Sequence, residues 1–326
     1  MATHDVDLAI IGAGPAGLYA AYYAGFRTLS TVVIDSLQEP GGQVAALYPE
    51  KMIFDVAGFP AIKGQKLVDQ LVEQAAQYEP TYLLNHRAED LETNADGSIT
   101  LRTSKGAEIT CRAVVITGGI GTFTPRPLPD SEMFEESGLV YFVRELEVMR
   151  DKDVLIVGGG DSAFDWAANL EGIARSITLV HRRDRFRAHE DTVNKVMESS
   201  VRVMTHTEVA NIHGQDTIES VTVFNNQTDE RETMKAQAVV AALGFKSDLG
   251  PLKSWDVEID GRHVLVDTTM ATNIPGVFAA GDITDYEGKV RLISVGFGEA
   301  ATAVNNAAVF IDPDARVFPG HSSDSK

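Results

Sequence analysis

An α/β fold in two similar units is predicted by three features of the chain. A short apolar run, Asp7-Leu8-Ala9-Ile10-Ile11, leads into Gly12-Ala13-Gly14-Pro15-Ala16-Gly17 and then a helical stretch through Ala20, Ala21 and Ala24. The plan restarts 146 residues later, where Asp153-Val154-Leu155-Ile156-Val157 runs into Gly158-Gly159-Gly160-Asp161-Ser162-Ala163. At 326 residues the chain exceeds one typical domain, so two are expected. Continuous apolar strands followed by glycine turns and helices belong to parallel sheets covered on both faces, so each unit reads as a Rossmann-like, three-layer dinucleotide-binding domain.

Chemistry dictates the glycines. Gly12 allows the tight turn, Gly14 lets backbone approach a pyrophosphate, and Gly17 lets the helix pack on the strand; Ala16 lies in the same turn. The helix N-terminus then faces negative charge. Thr31-Val32-Val33-Ile34 reads as the next strand, and Asp35 closes it 23 residues after Gly12, where a carboxylate accepts hydrogen bonds from ribose hydroxyls.

Composition narrows the function. Apolar content of 44% supports real cores, and no segment is long and apolar enough to cross a membrane. The first strand begins by Val6, leaving no room for a signal peptide, so a cytoplasmic protein is expected. One cysteine, Cys111, excludes an internal disulfide, a C-x-x-C redox pair and a cysteine-ligated iron–sulfur cluster. Redox chemistry would need a bound cofactor; no metal site is indicated. A net charge of −19 opposes binding to nucleic acid or anionic membrane. Solubility explains that charge equally well.

In chain order, Gln38-Glu39-Pro40-Gly41-Gly42-Gln43, Leu47-Tyr48-Pro49-Glu50-Lys51 and Phe59-Pro60 read as one long loop beside the first glycine turn. Gly64 to Tyr78 reads as an amphipathic helix. Tyr82 to Arg87, Asp90 to Thr93 and Ser98 to Thr103 read as a β-meander, and Ala113 to Thr117 as a further strand. In the second unit, strands are expected over 176–180, 201–205, 218–224 and 238–243. Counting 23 residues from Gly158 reaches His181, where the first unit has Asp35, and the run is His181-Arg182-Arg183-Asp184-Arg185-Phe186-Arg187. Exchanging an acid for arginines replaces repulsion with bidentate capture of a 2′-phosphate, which selects NADP over NAD. A solvated basic strand end is the plainer alternative. Strands follow over 264–268 and 277–280, and Gly281-Asp282 sits at a strand end. Asp282 reads as a ligand to a sugar-alcohol hydroxyl or equally as a turn acid. A helix over Gly296 to Phe310 would aim its glycine-rich start at a ring that becomes anionic on reduction. The tail from Phe318 has the composition of disorder.

With both glycine motifs, the arginine run and Gly281-Asp282 together, nearly the whole chain resembles the flavoproteins related to thioredoxin reductase. That resemblance implies an FAD domain of residues 1–118 and 246–326, an NADPH domain of residues 119–245 inserted in it, and hinges near Gly118-Gly119 and Gly244-Phe245. Thioredoxin reductases of this size carry C-x-x-C before the second glycine motif, but Tyr141 to Asp153 contains no cysteine. The chain is most similar to the thioredoxin-reductase-type ferredoxin:NADP reductases, in Gly41-Gly42-Gln43, in Leu47-Tyr48-Pro49-Glu50-Lys51, in Gly296-Phe297-Gly298-Glu299-Ala300 and in the extension to His321-Ser322. The resemblance implies that Tyr48 stacks on one face of the flavin. His321, otherwise readable as a plain tail residue, would reach from the partner subunit of a homodimer to cover the other face, with Ser322 near the reactive edge. It further implies that Gly42, Gln43, Asp282 and Phe123 touch the flavin and that the Ala88 backbone meets the adenine.

The implied activity passes hydride from NADPH to FAD and single electrons to ferredoxin, or the reverse. Alternatives are delivery to flavodoxin, a quinone or a disulfide partner, and a flavin-bound NADPH sensor without turnover. Ferredoxins are usually acidic, so the docking face is expected to be locally basic or apolar. Lys51, Lys289 and Arg291 are the candidates, set against an ordinary scatter of surface charge.

Overall fold

The computed structural model describes residues 3–129, 131–135, 137–143 and 145–321, with the side chains at 122–124 and 247 outside the description. Two compact units divide the chain, Met1–Phe123 with Ser247–Lys326, and Thr124–Lys246.

In the first unit, β1 (Thr3–Ile11) pairs in parallel with β2 (Thr31–Asp35) on one side and with the strand Glu108–Ile116 on the other. The edge beyond β2 is Thr81–Leu84, also parallel. Glu108–Ile116 is shared along its length. Its first half pairs antiparallel with Ile99–Thr103, and its second half pairs in parallel with the returning strand Val277–Ala279. Alternation along the central strands supplies two cores. Leu8, Ile10 and Val33 face one way, against Ala20, Ala21 and Ala24 of α1 (Pro15–Phe26) and Ala300, Ala303, Val304 and Ala307 of α6 (Ile293–Ile311). Ala9, Ile11, Val32 and Ile34 face the other way, against Ile99 and Leu101 and against Leu252, Trp255 and Val264. Alanine-rich faces let α1 and α6 lie close to the sheet.

Three expectations change here. Tyr82 to Arg87 is not part of a meander; the segment extends the parallel sheet as Thr81–Leu84. Tyr82 packs toward one core and Leu83 toward the other, and period-two alternation alone does not distinguish such an edge from a meander strand. The third meander strand is instead the first half of Glu108–Ile116, beside Ala88–Thr93 and Ile99–Thr103. The expected long loop contains the helical turn α2 (Gly42–Leu47) and a hairpin of Met52–Ile53 with Ile62–Lys63, ahead of α3 (Gly64–Ala76). Finally, α6 starts at Ile293, so Gly296 lies inside its first turn with its amide donating to the Leu292 carbonyl at 3.0 Å. The glycines are not the helix end.

The second unit has five parallel strands in the order Leu139–Val140, Ala238–Ala241, Asp153–Val157, Ser176–Val180, Arg202–Met204. Helices α4 (Asp161–Leu170) and α5 (Glu190–Met197) close one face over Phe164, Ala167 and Val196. An antiparallel layer, Thr207–His213, Ser220–Asn225 and Arg231–Lys235, covers the other over Val209, Val221 and Val223. Only the middle of these three strands was expected. Arg231–Lys235 is polar at most positions and lacks an apolar signal.

Candidate functional site

In the first unit a cleft of about 370 Å³ opens beside the first glycine turn. Gly12 has φ +112°, and a Cβ there would lie 2.6 Å from the Thr117 carbonyl oxygen. A Cβ on Gly17 would lie 1.8 Å from the Gly12 carbonyl oxygen. Both glycines are demanded by the fold, and Gly17 does not line the cleft. Gly14 differs. Its backbone is extended, and the nearest atom to an added Cβ is the Gly42 Cα at 3.9 Å. The room beside Gly14 belongs to the cleft, as backbone-to-ligand approach requires. The first amides of α1, at Ala16 and Gly17, have no intrahelical acceptor, which suits an anion.

Asp35 ends β2 at the cleft wall. Its carboxylate accepts from the Ala13 amide at 2.6 Å and the Leu37 amide at 2.8 Å. Burial pushes its acidity toward higher pH and the two amides oppose that. The carboxylate thus pins the glycine turn to the end of β2 as well as facing the cleft. Gly42, Gln43, Tyr48, Ala88, Gly281 and Asp282 line the same space. Burial, with Asp282 and Asp55 adding, pushes the Tyr48 phenol up to about 12, so it is a neutral hydrogen-bonding ring at any ordinary pH. Sequence reasoning missed His86, Thr117, Leu249, Pro251, Leu252 and Leu292 on this wall. Of these only Thr117 carried a signal, preceding Gly118-Gly119 at a strand end. Phe123 lies in the strand Thr122–Pro125, with its side chain outside the described residues. Ser322 lies outside the described residues altogether. His321 is exposed, meets Phe318 edge-on at 5.2 Å between ring centroids, and is not on the cleft wall of its own chain.

The second unit repeats the geometry. Gly158 has φ +157°, and a Cβ there would lie 2.4 Å from the Ala242 carbonyl oxygen and 3.1 Å from the Cβ of buried Ala163. Gly160, just before α4, has open space beside it. Asp161 and Ser162 open α4 on the surface, and the Asp161 carboxylate accepts from the His189 amide at 2.8 Å. The His181 ring covers Gly159, whose added Cβ would lie 2.4 Å from it, and sits 5.6 Å from the Phe186 ring. Burial, reinforced by the charges of Arg182, Arg183 and Arg187, lowers the His181 pKa against an opposing backbone hydrogen bond at Arg185. His181 therefore serves as a neutral packing ring beside the turn. Arg182, Arg183 and Arg187 are exposed and have no carboxylate partner among the described residues. Arg150, Arg175 and Arg202 of the same unit are paired with Glu147, Asp153 and Glu232.

Two of the basic docking candidates are already engaged. Lys289 is buried against Glu299, which removes it from any surface, and Arg291 pairs with Asp285 at 2.9 Å.

Residues 6–307 match the family described as pyridine nucleotide-disulphide oxidoreductase. The chain belongs to this family. As a pyridine nucleotide-disulphide oxidoreductase it uses FAD and a pyridine nucleotide, and the cleft beside Gly14 offers helix-start amides and open space of the kind a dinucleotide backbone needs. It is 61% identical over 314 residues to a ferredoxin–NADP reductase of Frankia alni, across 96% of this chain and 98% of that protein. Identity to a ferredoxin–NADP reductase of Salinispora arenicola is 59% over 320 residues, across 98% and 99%. Among solved structures, Lactococcus lactis thioredoxin reductase aligns with a TM-score of 0.76 at 25% identity, covering 94% of this chain and 99% of that one. Thioredoxin reductase of T. acidophilum aligns at 0.77 and 23% identity, covering 96% and 100%, a likeness of fold. The family name includes disulphide chemistry, yet the only cysteine, Cys111, is buried and its thiol is pushed up to about 12 by burial.

Proposed function

We propose that the chain is a flavoenzyme exchanging electrons between NADPH and ferredoxin. The observation that carries the acceptor half is the single sealed cysteine: no thiol in the chain can receive electrons, so they leave to a partner that takes them directly. Relatives at about 60% identity bearing the name ferredoxin–NADP reductase support the same reading.

FAD, when bound, supplies a ring that takes up two electrons as hydride and releases them singly. The residues of the chain bind, orient and exclude water. Gly14 and the first amides of α1 receive the pyrophosphate, Asp35 the ribose, and Gln43 and Asp282 the polar edge of the flavin and its side chain. Tyr48 offers a flat neutral ring, while Leu249 and Leu252 keep the wall apolar. We assign NADPH to the second unit. Gly160 and α4 receive its pyrophosphate, and Arg182, Arg183 and Arg187, which have no carboxylate partner among the described residues, receive the 2′-phosphate. No side-chain acid or nucleophile is needed for hydride transfer; alignment is the catalytic work.

The same reading makes the chain a cytoplasmic homodimer in which His321 and Ser322 of one subunit cover the flavin of the other. Among the described residues no helix is long and apolar enough to cross a membrane. The part-exposed rings of Tyr19, Tyr22 and Tyr23 on α1, with exposed Val317 and Phe318, supply apolar surface for such a contact.

Anaerobic mixing of the FAD-loaded protein with NADPH, then with NADH, and finally with ferredoxin tests the proposal. Fast bleaching of the flavin band by NADPH with onward ferredoxin reduction is the expected result. Bleaching without ferredoxin turnover moves the acceptor elsewhere, to flavodoxin, a quinone or a disulfide partner. Absence of bleaching by either nucleotide makes the chain a sensor. His321→Ala is expected to change the bleaching rate with FAD retained; an unchanged rate removes the tail from the gate.

A further inference from the structure

Behind the cleft wall formed by Gly281 and Asp282 lies a buried ion pair that the proposed function does not use. The Lys289 and Glu299 side chains are only 2% and 5% exposed. The Lys289 ammonium donates to both Glu299 oxygens, at 2.5 and 2.7 Å, to the Gly281 carbonyl at 2.9 Å and to the Thr284 hydroxyl at 3.0 Å. Glu299 in turn accepts from the Gly281 amide at 2.7 Å and from the Tyr286 hydroxyl at 2.6 Å. Both the amide and the carbonyl of Gly281 are thereby tied to the pair, in a residue whose φ is +83° and which lines the cleft.

Holding the turn does not by itself require charge. The Thr284 hydroxyl already donates to the Gly281 carbonyl at 2.8 Å, and a neutral acceptor would satisfy the Gly281 amide. Removing two charges from water is costly, and well-packed apolar residues often replace buried pairs without loss of stability. Tyr286 is held as a donor to the carboxylate, its phenol pushed up to about 12 by burial and by that hydrogen bond.

We propose that Lys289, Glu299 and Tyr286 are positioning residues that hold the Gly281–Asp282 turn against FAD and balance charge behind it, setting the reduction potential of the flavin; this rests on the FAD reading of the cleft. Two opposite charges less than 3 Å apart nearly cancel at a distance. Loss of one leaves a unit charge behind the wall in a medium far less polarisable than water. Reduced flavin carries more negative charge than oxidised flavin. Lys289→Met, with Glu299 unbalanced, therefore disfavours reduction, and Glu299→Gln, with Lys289 unbalanced, favours it.

The test is a dye-mediated redox titration of the FAD-loaded protein, with FAD affinity measured by fluorescence quenching. At the poise that half-reduces the parent, the ratio of reduced to oxidised flavin should fall about tenfold in Lys289→Met and rise about tenfold in Glu299→Gln. The double variant should return to within about twofold of the parent, since its charge is again balanced. Should Lys289→Met fail to fold, Tyr286→Phe replaces it: stripping one donor from the carboxylate lowers the ratio by a smaller factor, and the sign contrast with Glu299→Gln remains. Shifts of one sign in both single variants, or no shift with weakened FAD binding, mean a merely structural cluster and overturn the proposal. A parent that takes up no FAD overturns the cofactor reading along with it; a parent that binds FAD without opposed shifts overturns this proposal alone.

Discussion

Gly14 and Gly17 stand three residues apart in one motif and serve different masters. Gly17 is required by the protein itself, because an added Cβ meets backbone at 1.8 Å. Gly14 is required by what enters the cleft, because an added Cβ meets nothing closer than 3.9 Å. Gly17→Ala is therefore expected to destabilise the cofactor-free protein by about 3 kcal/mol or more, measured by urea unfolding. Gly14→Ala should leave that midpoint unchanged and weaken FAD binding by about tenfold or more, measured by fluorescence titration. His181 shows a second separation of roles. Its pKa is lowered in the folded chain, so the unfolded chain takes up a proton first as pH falls through about 6.5. Stability of the second unit should drop between pH 7.5 and pH 5.5, and His181→Asn should flatten that part of the slope in paired denaturation curves. An unchanged slope would place the linkage in another group.

At the scale of elements, the turn after Ser176–Val180 is where the chain departs from its first unit. An aspartate there is replaced by a neutral histidine ring packed on Gly159, followed by arginines with no carboxylate partner among the described residues. Charge-assisted hydrogen bonds to a phosphate contribute about 1.5–3 kcal/mol each. Arg182→Ala, Arg183→Ala and Arg187→Ala should accordingly raise KM for NADPH by about tenfold to a hundredfold with little change in kcat or in the NADH reaction. Equal losses with NADH would show that these side chains do not read the 2′-phosphate. The long strands were legible because Leu8 to Ile11 and Val154 to Val157 are apolar at every position, which only a doubly covered strand tolerates. Arg231–Lys235 was not, and Thr81–Leu84 was legible as a strand but not by its partner, because edge strands carry mixed patterns that depend on their neighbours.

For the whole molecule, a net charge of −19 sets the long-range field. An acidic ferredoxin approaching it meets repulsion before it meets any local contact. Its second-order rate of reduction should rise as salt is added from about 0.01 to about 0.15 M, because the Debye length shrinks from about 30 to about 8 Å. A rate that falls steadily over that range would mean that a basic face dominates docking. Lys289 does not belong to such a face, since it lies inside the protein.

The sequence by itself determined the fold class, the two glycine turns, the carboxylate at the end of β2 and the arginine run. Each is local, written in the spacing of a few residues whose chemistry has few other uses. Only the tertiary structure decided what those residues touch. It showed that Asp35 bonds the Ala13 amide, that Gly296 lies within a helix and not at its end, and that Leu249 and Leu252, more than 200 residues after Gly12, complete the same wall. It also turned Lys289 from a surface charge into the partner of Glu299. Such pairings depend on which segments the sheet brings together, and no local pattern encodes them.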